Sequence, residues 1–180
     1  MQSFLIRCVV VFLIVVLQFS AVDVMFPYMT PSLLLAVVLS WTLTKGFIRM
    51  WPWVVMLGIT ADLLSLGAVG GTALALVCVS YAISFLSVRF LAEHQGFGAL
   101  VMIGFVFFGT VVYQGVLMFL AYMAANISLW QALQASIGGA LRVVWPMAIF
   151  NAILFFLVGP LVRRLEAFLD FYDHRVVVER

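Results

Sequence analysis

The chain has 180 residues, of which 67% are hydrophobic and only 9% are charged. Average soluble domains carry about 25% charged residues, so this composition excludes a soluble globular protein and indicates a polytopic membrane protein. The net charge of +2, from nine basic and seven acidic residues, is too small for a nucleic-acid-binding surface. The sequence therefore predicts an all-α membrane bundle without a nucleic-acid partner.

Six apolar segments are predicted to be transmembrane helices. They cover roughly residues 4–26, 31–44, 52–66, 72–91, 97–125 and 135–162. The second is expected to continue to Phe47 while Lys45 snorkels, because 14 residues span only about 21 Å. Pro31 and Pro52 suit the first turns of the second and third helices, where a missing N–H costs nothing. Residues 1–162 are thus predicted to form one six-helix transmembrane domain.

Residues 163–180 are predicted to form a separate amphipathic tail. They hold eight of the sixteen acidic and basic residues of the chain. Five apolar residues recur at helical spacing opposite these charges, namely Leu161, Leu165, Phe168, Leu169 and Tyr172. This pattern predicts a helix that lies on the cytoplasmic membrane surface, with its arginines near anionic lipid.

The basic residues also predict the orientation of the chain. Six spans would place both termini on one side of the membrane, and that side would hold every basic residue except Arg142. The eight residues on that side are Arg7, Lys45, Arg49, Arg89, Arg163, Arg164, Arg175 and Arg180. Since short cytoplasmic segments are enriched in Lys and Arg, both termini are expected to be cytoplasmic.

The segment from residue 58 to residue 71 places one carboxylate, Asp62, in a very apolar neighbourhood. Insertion of an ionised Asp at the centre of a membrane helix costs roughly 2.5 to 3.5 kcal/mol. Such a residue is therefore expected to have a charged or hydrogen-bonding partner, to be protonated, or to have a functional role. Small residues around it allow a tight turn or a close helix approach. These are Gly58, Ser65, Gly67, Gly70 and Gly71.

Three roles for Asp62 remain open from the sequence. It could form an ion pair with Arg142, since both are expected in the outer half of the membrane. It could cap the glycine turn through backbone N–H groups, with Arg142 snorkelling outward. It could also be a proton or ion site in transport. Elsewhere, Gln114 and Asn151 are predicted to form hydrogen bonds between helices rather than to bind a ligand.

Motifs for catalysis and cofactor binding are missing from the sequence. It contains no G-x-S-x-G, H-E-x-x-H, P-loop or Rossmann glycine set. His94 and His174 lie in polar border segments, without metal-ligand spacing to another His or Cys. We therefore expect a non-catalytic protein without a cofactor or a metal.

A set of residues in the second, third and sixth segments forms a pattern that resembles a known family. It comprises Pro31, Ser32, Leu33, Leu34, Leu35, Trp41, Gly58, Asp62, Leu63, Leu64, Ser65, Gly70, Pro160 and Leu161. The run from Gly58 to Gly70 is similar to the glycine, D-L-x-S, glycine pattern that ends the third helix of MreD. The chain thus resembles the MreD family of the bacterial rod-shape, or elongation, machinery.

The resemblance implies a non-catalytic inner-membrane scaffold that acts in cell-shape control. Such a protein binds MreC and helps couple the cytoplasmic MreB filament to RodA and a penicillin-binding transpeptidase, the peptidoglycan synthases. The alternative is a solute-binding membrane subunit of an energy-coupling-factor vitamin transporter, which is similar in size and span count. That role needs a pocket with converging polar groups, for which Asp62, Arg142, Gln18 and Gln114 are candidates.

Overall fold

The computed structural model describes residues 2–22, 32–65, 70–93, 98–125 and 128–178, which contain helices and no strand. The helices are α1 (Gln2–Leu17), α2 (Leu33–Lys45), α3 (Phe47–Leu64), α4 (Gly71–Glu93), α5 (Gly98–Ala124) and α6 (Leu129–Val178). A short π-helical segment, Gln18–Val22, follows α1. The prediction of an all-α fold is confirmed, and the helices follow the order of the six apolar segments.

The second helix, α2, lies at the centre of the bundle. Its residues from Leu33 to Thr42 are all buried, and it contacts each of the other five helices. Those five form a ring around it in the order α1, α3, α4, α5, α6, and α6 closes on α1. A helix that is hydrophobic all round is buried all round. With 13 residues, α2 is about 20 Å long, shorter than a hydrocarbon core of about 30 Å.

The ring helices present apolar side chains to the outside. Examples that are at least 60% exposed are Leu5, Val9, Val88, Ile149 and Leu157. Within the described residues, four helices are long and apolar enough to cross a membrane, through Phe47–Leu64, Gly71–Val88, Leu100–Ala124 and Val144–Phe171. The apolar parts of α1 and α2 are shorter. Apolar surface of this extent is unfavourable in water, and the arrangement is compatible with a multi-pass membrane protein.

A single residue, Gly46, links α2 to α3. Its φ of 78° lies in the left-handed region, and its N–H donates to the carbonyl of Thr42 at 2.9 Å. Because glycine adopts this φ without strain, the chain leaves α2 and enters α3 with no longer loop. Helix α3 therefore begins at Phe47, five residues before its predicted start at Pro52. Pro52 lies inside the helix and not at its first position.

The last helix, α6, continues from Leu129 to Val178 with no break at the predicted boundary between residues 162 and 163. The buried side chains of its C-terminal part are Val162, Glu166 and Leu169. Of the predicted apolar stripe, Leu169 is buried, whereas Leu161 and Phe168 are more than half exposed. Residues 163–171 thus pack on the bundle through a face that includes the carboxylate of Glu166, which the sequence did not predict. A position of the tail on the membrane surface stays a prediction.

Candidate functional site

Asp62 lies in the last turn of α3 and is 3% exposed. Its carboxylate accepts hydrogen bonds from the backbone N–H groups of Gly70 (2.9 Å), Thr72 (3.0 Å) and Ala73 (3.3 Å). The carbonyl of Gly70 accepts the N–H of Leu74, so Gly70 is the N-cap of α4. Asp62 therefore caps α4 from the preceding helix, at the end where the helix dipole favours a negative charge.

Two glycines make this cap possible. Gly58 lies one turn before Asp62, and a Cβ placed on it would lie 2.3 Å from Cα of Ala73. The backbones of α3 and α4 can therefore come this close only because residue 58 has no side chain. Gly70 has a φ of 97°, in the left-handed region that glycine tolerates. In this conformation, which precedes the first residue of α4, the N–H of Gly70 donates a hydrogen bond to the carboxylate of Asp62.

The remaining residues predicted around the turn have smaller roles or lie elsewhere. Ser65 ends α3: its N–H donates to the carbonyl of Ala61 (2.9 Å). A Cβ on Gly71 would meet nothing closer than 3.7 Å, so this position does not require glycine for space. Gly67 lies outside the described residues, and so does the side chain of Arg142. Of the three roles considered for Asp62, the geometry supports the cap, and the ion pair with Arg142 stays a prediction.

The first turn of α2 is also capped by side chains from other segments. The N–H of Ser32 donates to Oδ1 of Asn151 on α6 (2.8 Å), and the N–H of Leu33 donates to Oε1 of Gln18 (2.7 Å). The hydroxyl of Ser32 accepts the N–H of Leu35 (3.1 Å). Because Ser32 and Leu33 are buried, these N–H groups would otherwise lack a partner, at a cost of about 1 to 3 kcal/mol each.

The polar side chains of α5 and α6 join the two helices. Nδ2 of Asn151 donates to the hydroxyl of Thr110 (3.1 Å), which in turn donates to the carbonyl of Val106 (2.7 Å). Nε2 of Gln114 lies 3.2 Å from the sulfur of Met147. Asn151 thus forms a hydrogen bond between helices, as the sequence predicted, and also caps α2.

A cleft of about 420 Å³ opens beside these caps. Its polar lining consists of Gln18, Ser32, Ser65, Thr72, Tyr113 and Gln114. Two of the four residues proposed for a ligand pocket, Gln18 and Gln114, therefore share one cavity. Asp62 does not line it, because its oxygens are turned to the backbone of α4.

The opposite end of α2 is rich in charge. We call this end of the bundle the basic end, and it is defined by Arg7, Lys45, Arg49 and Arg163. We call the other end of the bundle, where Ser32 and Asp62 lie, the turn end. At the basic end, Nη2 of Arg7 donates to Oε2 of Glu166 at 2.9 Å, and the carboxylate side chain is 1% exposed. The same guanidinium lies over the ring of Trp53, 5.7 Å from its centroid.

A second ion pair joins Lys45 at the end of α2 to Asp170 of α6. Its aspartate side chain is 47% exposed. By contrast, the buried pair is incompletely bonded: Nε of Arg7 and Oε1 of Glu166 have no hydrogen-bond partner among the described residues. A buried pair of this kind has a large desolvation penalty that offsets the attraction between the two charges, so its presence does not by itself indicate added stability.

Sequence reasoning missed both acidic partners, because it assigned Glu166 and Asp170 to the solvated face of a surface helix. The sequence did contain a signal for their position. Glu166 and Asp170 are four residues apart and share a helix face with Val162 and Leu169, so a buried apolar face would also include these carboxylates. In the described part of the chain, no group of three or more His, Cys, Asp and Glu residues is placed to hold a metal ion.

Comparison of the chain with protein-family models, curated proteins and solved structures finds no match. Its function is therefore inferred from its own residues and their geometry.

Proposed function

We propose that the chain is a non-catalytic inner-membrane scaffold related to MreD. The observation that supports this proposal is the role of the residues that resemble the family pattern. Gly58, Asp62 and Gly70 join α3 to α4 through close backbone packing and a helix cap, and Ser65 ends α3. Asp62, with three backbone hydrogen bonds, serves structure rather than transport or catalysis. A shared motif of this kind suits a scaffold.

The proposal includes six transmembrane spans with both termini in the cytoplasm. Helix α2 is shorter than the hydrocarbon core, but the other five helices surround it, so it does not have to match the thickness of the lipid. The ion pair between Arg7 in α1 and Glu166 in α6 holds the first and last helices together at the basic end. An excess of arginine and lysine at that end favours the cytoplasmic side.

The topology can be tested with single cysteines at residues 2 and 178 in a Cys8→Ser/Cys78→Ser background. Both sites are expected to react with a membrane-impermeant maleimide only after the cells are permeabilised. A cysteine in the 126–127 connection is the matched control and should react in intact spheroplasts. Reaction of either terminal site in intact spheroplasts would contradict the proposed orientation.

In this role the protein binds MreC and helps couple the MreB filament to RodA and a penicillin-binding transpeptidase. The test is purification from host membranes in a mild detergent, followed by identification of the proteins that stay bound. Recovery of an MreC-type single-span protein, absent from a purification of an unrelated six-span protein, is the expected result. Its absence, with the bundle intact, would overturn the scaffold proposal.

The cleft at the turn end favours a second candidate function, a solute-binding subunit of an energy-coupling-factor vitamin transporter. Its volume of about 420 Å³ is within the usual range of small-molecule sites, about 300 to 1,000 Å³. Gln18 and Gln114 would supply polar contacts there. Recovery of ATPase subunits or of a bound vitamin in the same purification would favour this function over the scaffold.

A further inference from the structure

A groove of about 160 Å³ lies at the basic end between α2, α5 and α6. Its buried surface is formed by Ser40, Phe155 and Gly159, and the half-buried side chains of Leu43 and Met102 line it as well. The groove opens toward the outside of the bundle, where Thr44 and Arg163 are exposed.

The walls of this groove are effectively apolar. The hydroxyl of Ser40 donates to the carbonyl of Ala36 (2.8 Å), and that of Thr44 donates to the carbonyl of Ser40 (2.7 Å). Both hydroxyl protons are therefore used within α2. A Cβ on Gly159 would lie 3.3 Å from the hydroxyl oxygen of Ser40, so the missing side chain at residue 159 leaves the space open.

Arg163 is the one charged residue that lines the groove, and its environment differs from those of Arg7 and Lys45. Arg7 pairs with Glu166, and Lys45 pairs with Asp170. Among the described side chains, no carboxylate lies within ion-pair distance of Arg163. Its guanidinium is therefore available for an anion from outside the bundle.

Arg163 lies at the charged end of the bundle. It is the first residue after the sixth apolar segment that the sequence predicts, residues 135–162. The ion pairs of Arg7 with Glu166 and of Lys45 with Asp170 lie at the same end. Because charged side chains are favoured at the polar boundary of a bilayer, this is the end of the bundle where lipid phosphates are expected.

We propose that this groove binds an anionic phospholipid, with its phosphate on Arg163 and part of one acyl chain against Leu43, Met102 and Phe155. Basic pockets between transmembrane helices recognise anionic headgroups in this way. The apolar walls explain why a lipid, rather than a free phosphate, is the occupant. The site requires only that the bundle lies in a membrane, and it is independent of the scaffold proposal.

The test is native mass spectrometry of the delipidated protein, titrated with phosphatidylglycerol and with phosphatidylcholine of the same acyl chains. The wild-type protein is expected to bind the first phosphatidylglycerol about fivefold more tightly than the first phosphatidylcholine, as one cation near the headgroup predicts. Arg163→Gln should abolish this preference. Arg164→Gln is the matched control, since Arg164 is also exposed but does not line the groove, and it should keep the preference.

A second variant tests the acyl-chain part of the site. Leu43→Trp should fill the groove and weaken the first binding event of both lipids, without a change in charge. Equal losses in the Arg163→Gln and Arg164→Gln variants would overturn the proposal, because general attraction to the basic end would then explain binding. Unchanged binding by the Leu43→Trp variant, with an unchanged unfolding temperature, would equally overturn it.

Discussion

At the turn end the buried carboxylate of Asp62 meets backbone N–H groups, whereas at the basic end the buried carboxylate of Glu166 meets another charge. Asp62 contacts residues 8 to 11 positions away along the chain. Glu166 contacts a residue 159 positions away. The first contact shapes a local turn, and the second joins the first helix to the last.

The comparison predicts different consequences for the loss of each contact. Removal of one partner of a buried ion pair leaves an uncompensated charge, which is more costly than the loss of a cap. The turn end should therefore tolerate substitutions of its carboxylate better than the basic end does. Four measurements test this difference between the two ends, in order of decreasing expected loss of stability. Each uses SDS-induced unfolding in dodecyl maltoside micelles.

Arg7→Met should have the largest effect, because it leaves Glu166 buried without its cation. We expect a loss of about 3 to 5 kcal/mol in the free energy of unfolding. The double variant Arg7→Met/Glu166→Leu should recover most of that loss, since neither charge remains. Asp170→Asn, at the half-exposed carboxylate of the second pair, is the control and should cost about 1 kcal/mol or less. Equal losses for Arg7→Met and Asp170→Asn would show that burial of the first pair is unimportant.

Gly58→Ala should have the next largest effect, although it adds only a methyl group. The new Cβ would overlap the backbone of α4 at Ala73, so the two helices must separate. Overpacking of this kind costs about 1 to 3 kcal/mol. Gly104→Ala on α5 is the matched control, because a Cβ there meets nothing within 4 Å and should be neutral or slightly stabilising. A harmless Gly58→Ala variant would contradict the close crossing of α3 and α4.

Asp62→Ala should cost about 1 to 2 kcal/mol, as the loss of a helix cap does. Asp62→Asn should cost less, because one amide oxygen still accepts a backbone N–H. The predicted ion pair with Arg142 is tested by combining Asp62→Ala with Arg142→Ala. A markedly non-additive cycle would establish the pair, and additive losses would leave Asp62 as a cap alone.

Thr110→Val should have the smallest effect, because it removes one hydrogen bond from Asn151 while Asn151 still caps α2. Hydrogen bonds between membrane helices average about 0.6 kcal/mol. Asn151→Leu should cost more, since it also leaves the N–H of Ser32 unpaired. Similar losses for the two variants would indicate that the cap from Asn151 adds nothing.

Local features of the chain were predictable from sequence. The apolar runs, separated by short polar or proline-containing segments, indicated six helices. Asp62 stood out among apolar residues, and the glycines after it indicated a turn. The structure then added the close crossing at Gly58. These features depend on residues near each other in the chain, where spacing and backbone preference are informative.

Other features depend on contacts between distant segments, which no local pattern encodes. Residue patterns along the chain are enough to predict an all-helical apolar bundle and a turn after Asp62. Three features appear only in the folded structure: α2 lies inside the ring, Gly46 alone joins α2 to α3, and Glu166 is buried against Arg7. The physical reason is that α6 is apolar on more than one face, so periodicity did not identify the face that packs. The partner helix determined it, and that helix lies more than a hundred residues away.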